Sequence, residues 1–253
     1  MKRFGRLLLM EIENIWRFPT IELVIATAIL NALRTPFPIL PQNEQVAVTF
    51  FIANPALTMS TLFLSFIIPV LVARVFAKGL SGNETRVLLS YPVKRWEILL
   101  SKVTVVLLPT FAIFSIVFFF NTFYMYQLSV SNPLPYAFLV PQFFSVALMT
   151  ALAFIISLFA KDELKAVLFS LFILLFLGFS SEQMGAPYRY ISPAQGSTLI
   201  MRYLEFLYYG NLSNFLRSHP ILELQLAFGF PIVTTIVLLS VVFLYFQHKL
   251  DID

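Results

Sequence analysis

The chain has 253 residues, 59% of them hydrophobic and 12% charged, against roughly 25% charged in an average soluble domain. Charged and polar side chains are too few to clothe a soluble globule, so the composition excludes one and predicts an all-α membrane protein. Cysteine is absent, which excludes disulfides and thiolate metal sites, and the net charge of +4 is modest.

The chain opens with MKRFGRLLLM, a basic start that imitates a signal peptide. Its apolar run, Leu7 to Met10, is shorter than the roughly 7–15 residues a signal sequence needs, so this end is expected to be retained. Residues 3–17 have helical two-sidedness, with Phe4, Leu8, Ile12, Ile15 and Trp16 on one face and Arg3, Arg6, Glu13 and Arg17 on the other. Such a helix is expected to lie in the headgroup plane, either as an anchor or as a moving part.

Crossing the hydrocarbon takes about 20 mostly apolar residues. Six stretches qualify: 19–40, with Glu22 and Arg34 near its ends, then 53–76, 103–126, 137–160, 164–181 and 224–247. Pro69, Pro109 and Pro231 are expected to kink their helices, as bundles tolerate. In the fourth span, Ala147/Ala151 and Ala153/Ser157 are spaced for close helix approach.

The short loops set the orientation. Of the 17 Lys and Arg residues, four (Arg34, Arg189, Arg202 and Arg217) fall on one side and thirteen on the other, predicting cytoplasmic N- and C-termini. The cations then sit where anionic headgroups are, and no nucleic-acid partner is needed to explain them. Eight of ten tyrosines fall at the outer ends or loops, where an apolar ring with a polar tip is favoured. The outer loop 182–223 is long, and Leu199, Tyr203, Phe206 and Leu207, stopped by Gly210, predict short helices on the outer surface.

The longest cytoplasmic loop between spans, 77–102, carries LLSYPVKRWEILLSK at 88–102. Residues 83–90 can make about two helical turns, with Leu88 and Leu89 as an apolar knob and Glu84 and Arg86 beside it. Pro92 breaks a helix running into it and suits the first turn of the next. Lys94, Arg95 and Lys102 form a basic rim. A lipid collar needs the cations alone, whereas a docking knob for a cytoplasmic partner needs the knob, the bend and the rim.

The run RVLLSYPVKRWEILLSK resembles the segment between the second and third spans of ATP-binding-cassette (ABC) type-2 permeases. In that family a coupling helix ends in LLS-x-P-[VI]-x-R, followed by an aliphatic pair and [GS]-K. Leu88, Leu89, Ser90, Pro92, Val93, Arg95, Ile98, Leu99, Ser101 and Lys102 match it. Where members commonly place an acidic residue close before the Leu pair, this chain has Arg86, with Glu84 further back. The resemblance implies a single permease domain over 1–253, with a coupling helix at 83–91 whose ATPase contacts come from Glu84, Arg86, Leu88, Leu89, Pro92 and Arg95. It further implies a separate cytoplasmic ABC ATPase, a second permease copy or paralogue to complete a dimer, export as the direction, and the plasma membrane as the location.

No Gly-Lys dipeptide occurs, so the phosphate-binding G-x-x-x-x-G-K-[ST] loop is missing and ATP is expected on the partner subunit. No catalytic, cofactor or metal residues are expected. His219 and His248 fall on opposite sides, no Ser/His/Asp set converges, and the scattered methionines read as packing. Asn121, Gln142 and Thr150 fit either a lined path or glue between helices. Two other functions fit less well. A scaffold or force-transmitting subunit would borrow the same architecture without moving solute. An ion-coupled transporter would want an ionisable residue at mid-membrane, which spans two to six lack in their centres.

Overall fold

The computed structural model describes residues 2–16, 43–53, 55–77 and 94–248, with positions 22, 25, 26 and 29, and every regular element among them is helical. Apart from those four positions, the stretch 19–40 lies outside the described residues, as does 78–93.

Helix α1 (Lys2–Ile15) packs along α4 (Arg95–Phe119). Its buried stripe is Leu7, Glu11 and Ile15, one residue per turn, with Phe4, Leu8 and Ile12 half-buried beside it. The stripe is turned from the one the apolar pattern alone suggests, because it takes in an acidic residue with a partner inside the fold. Helix α2 (Glu44–Ala53) precedes α3 (Pro55–Val72), which runs on as a π turn, Ala73–Ala77. Residues 44–52, which fall between the expected spans 19–40 and 53–76, are helical: Val48, Phe51 and Ile52 bury one face, and Phe51 sets its ring edge-on to Phe118 and Tyr126, at 5.3 and 5.2 Å.

Helix α4 starts at Arg95, eight residues before the apolar run that marks a span, because Ile98, Leu99, Ser101 and Lys102 are all buried. Its first turn is closed by Glu97, whose carboxylate accepts the Lys94 N–H at 3.1 Å. It ends in a second π turn, Phe120–Met125. Helix α5 (Leu134–Ala160) is the centre of the bundle, in contact with α3, α4, α6 (Glu163–Gln183), α7 (Pro193–Tyr208) and α9 (Ile221–His248). Ala147, Ala151, Ala153 and Ser157 are all buried on it, as small residues must be where backbones approach. Its most apolar window is 61% buried, against 22% for α6 and 17% for α9, which carry rows of exposed Phe, Leu, Ile and Val on their outer faces. Outward apolar faces of this kind need lipid, not water, around them. Among the described residues four helices, Arg95–Tyr124, Leu134–Ala160, Glu163–Ser181 and Ile221–Gln247, are long and apolar enough to cross a membrane.

Between α5 and α6 the chain reverses in two residues. Lys161 takes a left-handed φ of 53°, and the Asp162 carboxylate caps α6 by accepting the Lys165 N–H at 3.0 Å. After α6 come a 3-10 turn (Tyr188–Ile191), α7, and α8 (Leu212–Ser218). Gly210, at φ 79°, ends the α7 region, a conformation that glycine adopts without a Cβ penalty. Helix α7 buries Leu199, Ile200, Met201 and Glu205 and packs against α5 and α9, with Arg202, Leu207 and Tyr208 exposed.

Candidate functional site

Of the residues expected to meet an ATPase, Glu84, Arg86, Leu88, Leu89 and Pro92 lie outside the described residues. Arg95 is placed, as the first residue of α4. The structure therefore fixes the two ends of segment 78–93, Ala77 and Lys94, and the residues that hold those ends.

Ala77 closes the π turn after α3. Val75, Phe76 and Ala77 are almost fully buried, with Phe76 edge-on to Phe154 at 5.3 Å. The Val75 carbonyl accepts from Lys102 Nζ of α4 at 2.8 Å, about two turns past Arg95. The same ammonium lies 3.1 Å from Glu11 Oε1 of α1, at an angle that makes the contact ionic without a directed hydrogen bond. Both side chains are buried, Lys102 at 6% and Glu11 at 5% exposure. Removing one partner of such a pair costs about 3–5 kcal/mol, because it strands the other charge away from water.

Two further bonds tie the same end together. Trp16 Nε1, just past α1, donates to the Val105 carbonyl at 3.1 Å. Arg95 Nη1 donates to the Gln247 carbonyl in the last turn of α9, at 3.0 Å. Helices α1, α3, α4 and α9 are thus joined by polar contacts near the residues that flank segment 78–93. Glu11 and Lys102 were not legible as a pair in the sequence. The available signal was a lone Glu four residues from Leu7 and from Ile15 on an apolar stripe.

At the opposite end, polar contacts join α2 to the segments around α5 and α7. Asn132 Nδ2 donates to Glu44 Oε1 at 3.0 Å, while its own Oδ1 accepts from the Leu134 N–H at 2.9 Å. Thr49 Oγ1 is hydrogen-bonded to Glu205 Oε1 and lies 3.0 Å from the Gln45 carbonyl. Burial pushes the Glu205 carboxyl above its ordinary range, opposed by the Thr49 hydrogen bond and the charge of Arg202. His219 Nδ1 meets Glu223 at 3.0 Å. Gly196 is pressed against Tyr190, such that a Cβ would lie 2.8 Å from the Tyr190 carbonyl oxygen.

Two of the candidate path residues, Gln142 and Thr150, have bonding partners within the fold. Thr150 bonds its own helix at Val146, and Gln142 Nε2 meets Met201 Sδ at 3.8 Å, a role in packing. Among the described residues no group of three or more His, Cys, Asp or Glu is placed to hold a metal.

A family model described as "ABC-2 family transporter protein" matches residues 19–247. No curated protein matches the chain.

Proposed function

The chain belongs to the ABC-2 transporter family, and on that premise we propose that it is the permease subunit of an ATP-driven transporter, most simply an exporter, served by a separate cytoplasmic ATPase. The ATPase docks on 83–91, with Leu88 and Leu89 as the buried knob and Glu84, Arg86, Pro92 and Arg95 around it. The working unit has two permease halves of six spans each, the N-terminal helix at the headgroup level, both termini in the cytoplasm, and the plasma membrane as its location. ATP and its hydrolysis belong to the partner, since the chain has no Gly-Lys dipeptide on which to build a phosphate-binding loop.

The observation that carries this reading is the family match over 19–247 combined with the docking-type segment it encloses. The anchorage of both ends of that segment supports it. Displacement of 78–93 has a mechanical route into α1, α3, α4 and α9, through Lys102 and Arg95. An unanchored lipid collar has no use for one.

The test is purification from the native membrane, followed by identification of the co-purifying ATPase and of any bound small molecule, then of ATP-dependent solute flux in vesicles. Absence of any ATPase partner would overturn the reading. A stable ATPase complex without flux would reassign the chain to a force-transmitting scaffold.

A further inference from the structure

We propose that Lys102 is a positioning residue for coupling, holding the exit of segment 78–93 in its π-helical register, and that Glu11 makes helix α1 part of that mount. The inference rests on the reading of 78–93 as the ATPase dock.

A π turn is wider and less well bonded than an α turn, and it persists only where other contacts favour it. The turn Ala73–Ala77 stands at the end of α3, where the chain leaves for the docking segment. Its Val75 carbonyl accepts a hydrogen bond from outside the helix. Lys102 supplies that donor, and its charge makes the bond to the turn a strong one. A lysine is long and mobile, so its use as a cap depends on what fixes its far end. Glu11 does so, from a third element, in a site closed to water. One ammonium therefore bonds α3 and pairs with α1 while its backbone belongs to α4.

The consequence is geometric. Reversion of the π turn to α-helical bonding shifts the register by one residue, which turns the chain beyond it by roughly 100°. The knob at Leu88 and Leu89 would then face elsewhere. Arg95 flanks the same end and is committed to Gln247. With the cap in place the exit has one direction, and a push on the segment moves α1, α3 and α4 as a unit.

Hydrogen exchange of residues 73–77 reads the mount directly, on the full chain in nanodiscs. The stimulation of the co-purified ATPase reads its use. Lys102→Met removes the cap. Glu11→Leu combined with Lys102→Met removes it while leaving no stranded charge, an exchange that buried pairs commonly tolerate. Lys102→Arg keeps a cation and donors. In the two cap-less variants, exchange at 73–77 is expected to rise about ten- to hundredfold, the factor carried by a hydrogen bond to a charged group. Exchange in 145–158 should stay unchanged, and ATPase stimulation should fall although the ATPase still co-purifies. Lys102→Arg should restore both. Unchanged exchange at 73–77 in the double variant would overturn the proposal, as would a loosened exit with full stimulation. Failure of both cap-less variants to fold, with Lys102→Arg folded, would leave the pair a purely structural one and overturn it too. If instead the docking reading fails, Leu88→Asp and Leu89→Asp will retain the ATPase, and the exchange measured on the chain alone still decides whether Lys102 holds the turn.

Discussion

Arg95 donates through Nη1 to the carbonyl of Gln247, so the first turn of α4 caps the last turn of α9 across 152 residues of sequence. The guanidinium is therefore engaged within the chain, which limits what it can offer a partner. Fully burying a Leu side chain is worth roughly 1.5–3 kcal/mol, whereas an exposed ion pair contributes about 1 at most. Leu88→Asp and Leu89→Asp should each abolish co-purification of the ATPase. Arg95→Ala should weaken it little, and its main effect should be faster hydrogen exchange in the last turn of α9. A lipid collar would reverse that order: loss of Lys94 and Arg95 would matter and the Leu pair would tolerate change.

The proposed orientation is testable with single cysteines, since the chain has none of its own. Asn132 and Ser197 sit in loops by sequence but are buried, at 4% and 3% exposure, and would report packing instead of sidedness. Val130 and Tyr188 are 66% and 62% exposed and are the right outer positions. Cysteines there should react with a membrane-impermeant thiol reagent in intact cells, while those at Ser81 and Lys161 should be shielded. Labelling at Ser81 from outside would invert the topology.

Gly196 leaves no room for a side chain. An alanine Cβ would stand 2.8 Å from the Tyr190 carbonyl oxygen and 3.6 Å from that of Ala227, both backbone atoms of packed elements. Gly196→Ala should destabilise the protein by about 1–3 kcal/mol, the usual cost of overpacking. A lowered melting temperature in detergent, without change in helix content at low temperature, is the expected readout.

Glu205 gives the contact between α2 and α7 a pH dependence. The folded state holds its carboxyl above the ordinary value of 4.5, chiefly by burial. The folded state thus binds the proton more tightly than the unfolded one, and stability falls as pH rises from about 4.5 through the raised value. The hydrogen bonding agrees: the single Thr49 proton cannot serve both Gln45 and an ionised Glu205, whereas a protonated Glu205 can donate to Thr49. Arg202 is the charged group that acts on Glu205, and its charge draws the carboxyl down. Glu205→Gln should flatten the melting temperature between pH 4.5 and neutrality; an unchanged slope would show that folding does not shift the Glu205 carboxyl.

The purified chain alone should neither bind nor hydrolyse ATP. Robust hydrolysis that survives removal of contaminating ATPases would sink the division of labour proposed here.

The amino-acid sequence by itself determined the all-helical membrane class. The demand of hydrocarbon for long, uncharged, internally bonded segments is local and holds whatever the segment packs against, so runs such as 137–160 and 224–247 declare themselves. The small residues Ala147, Ala151, Ala153 and Ser157 likewise marked the crowded face of α5, because only small side chains let backbones meet. The knob at Leu88 and Leu89 was visible as a pattern, and its docking remains the experiment's to decide. Only tertiary structure decided that Glu11 turns inward, that α4 begins at Arg95, and that α2 extends the second apolar stretch. Each depends on a partner far away in sequence: Lys102 for Glu11, Gln247 for Arg95, Phe118 and Tyr126 for Phe51. A charged residue reads as solvent-facing until the opposite charge is found beside it, and only the fold sets the two side by side.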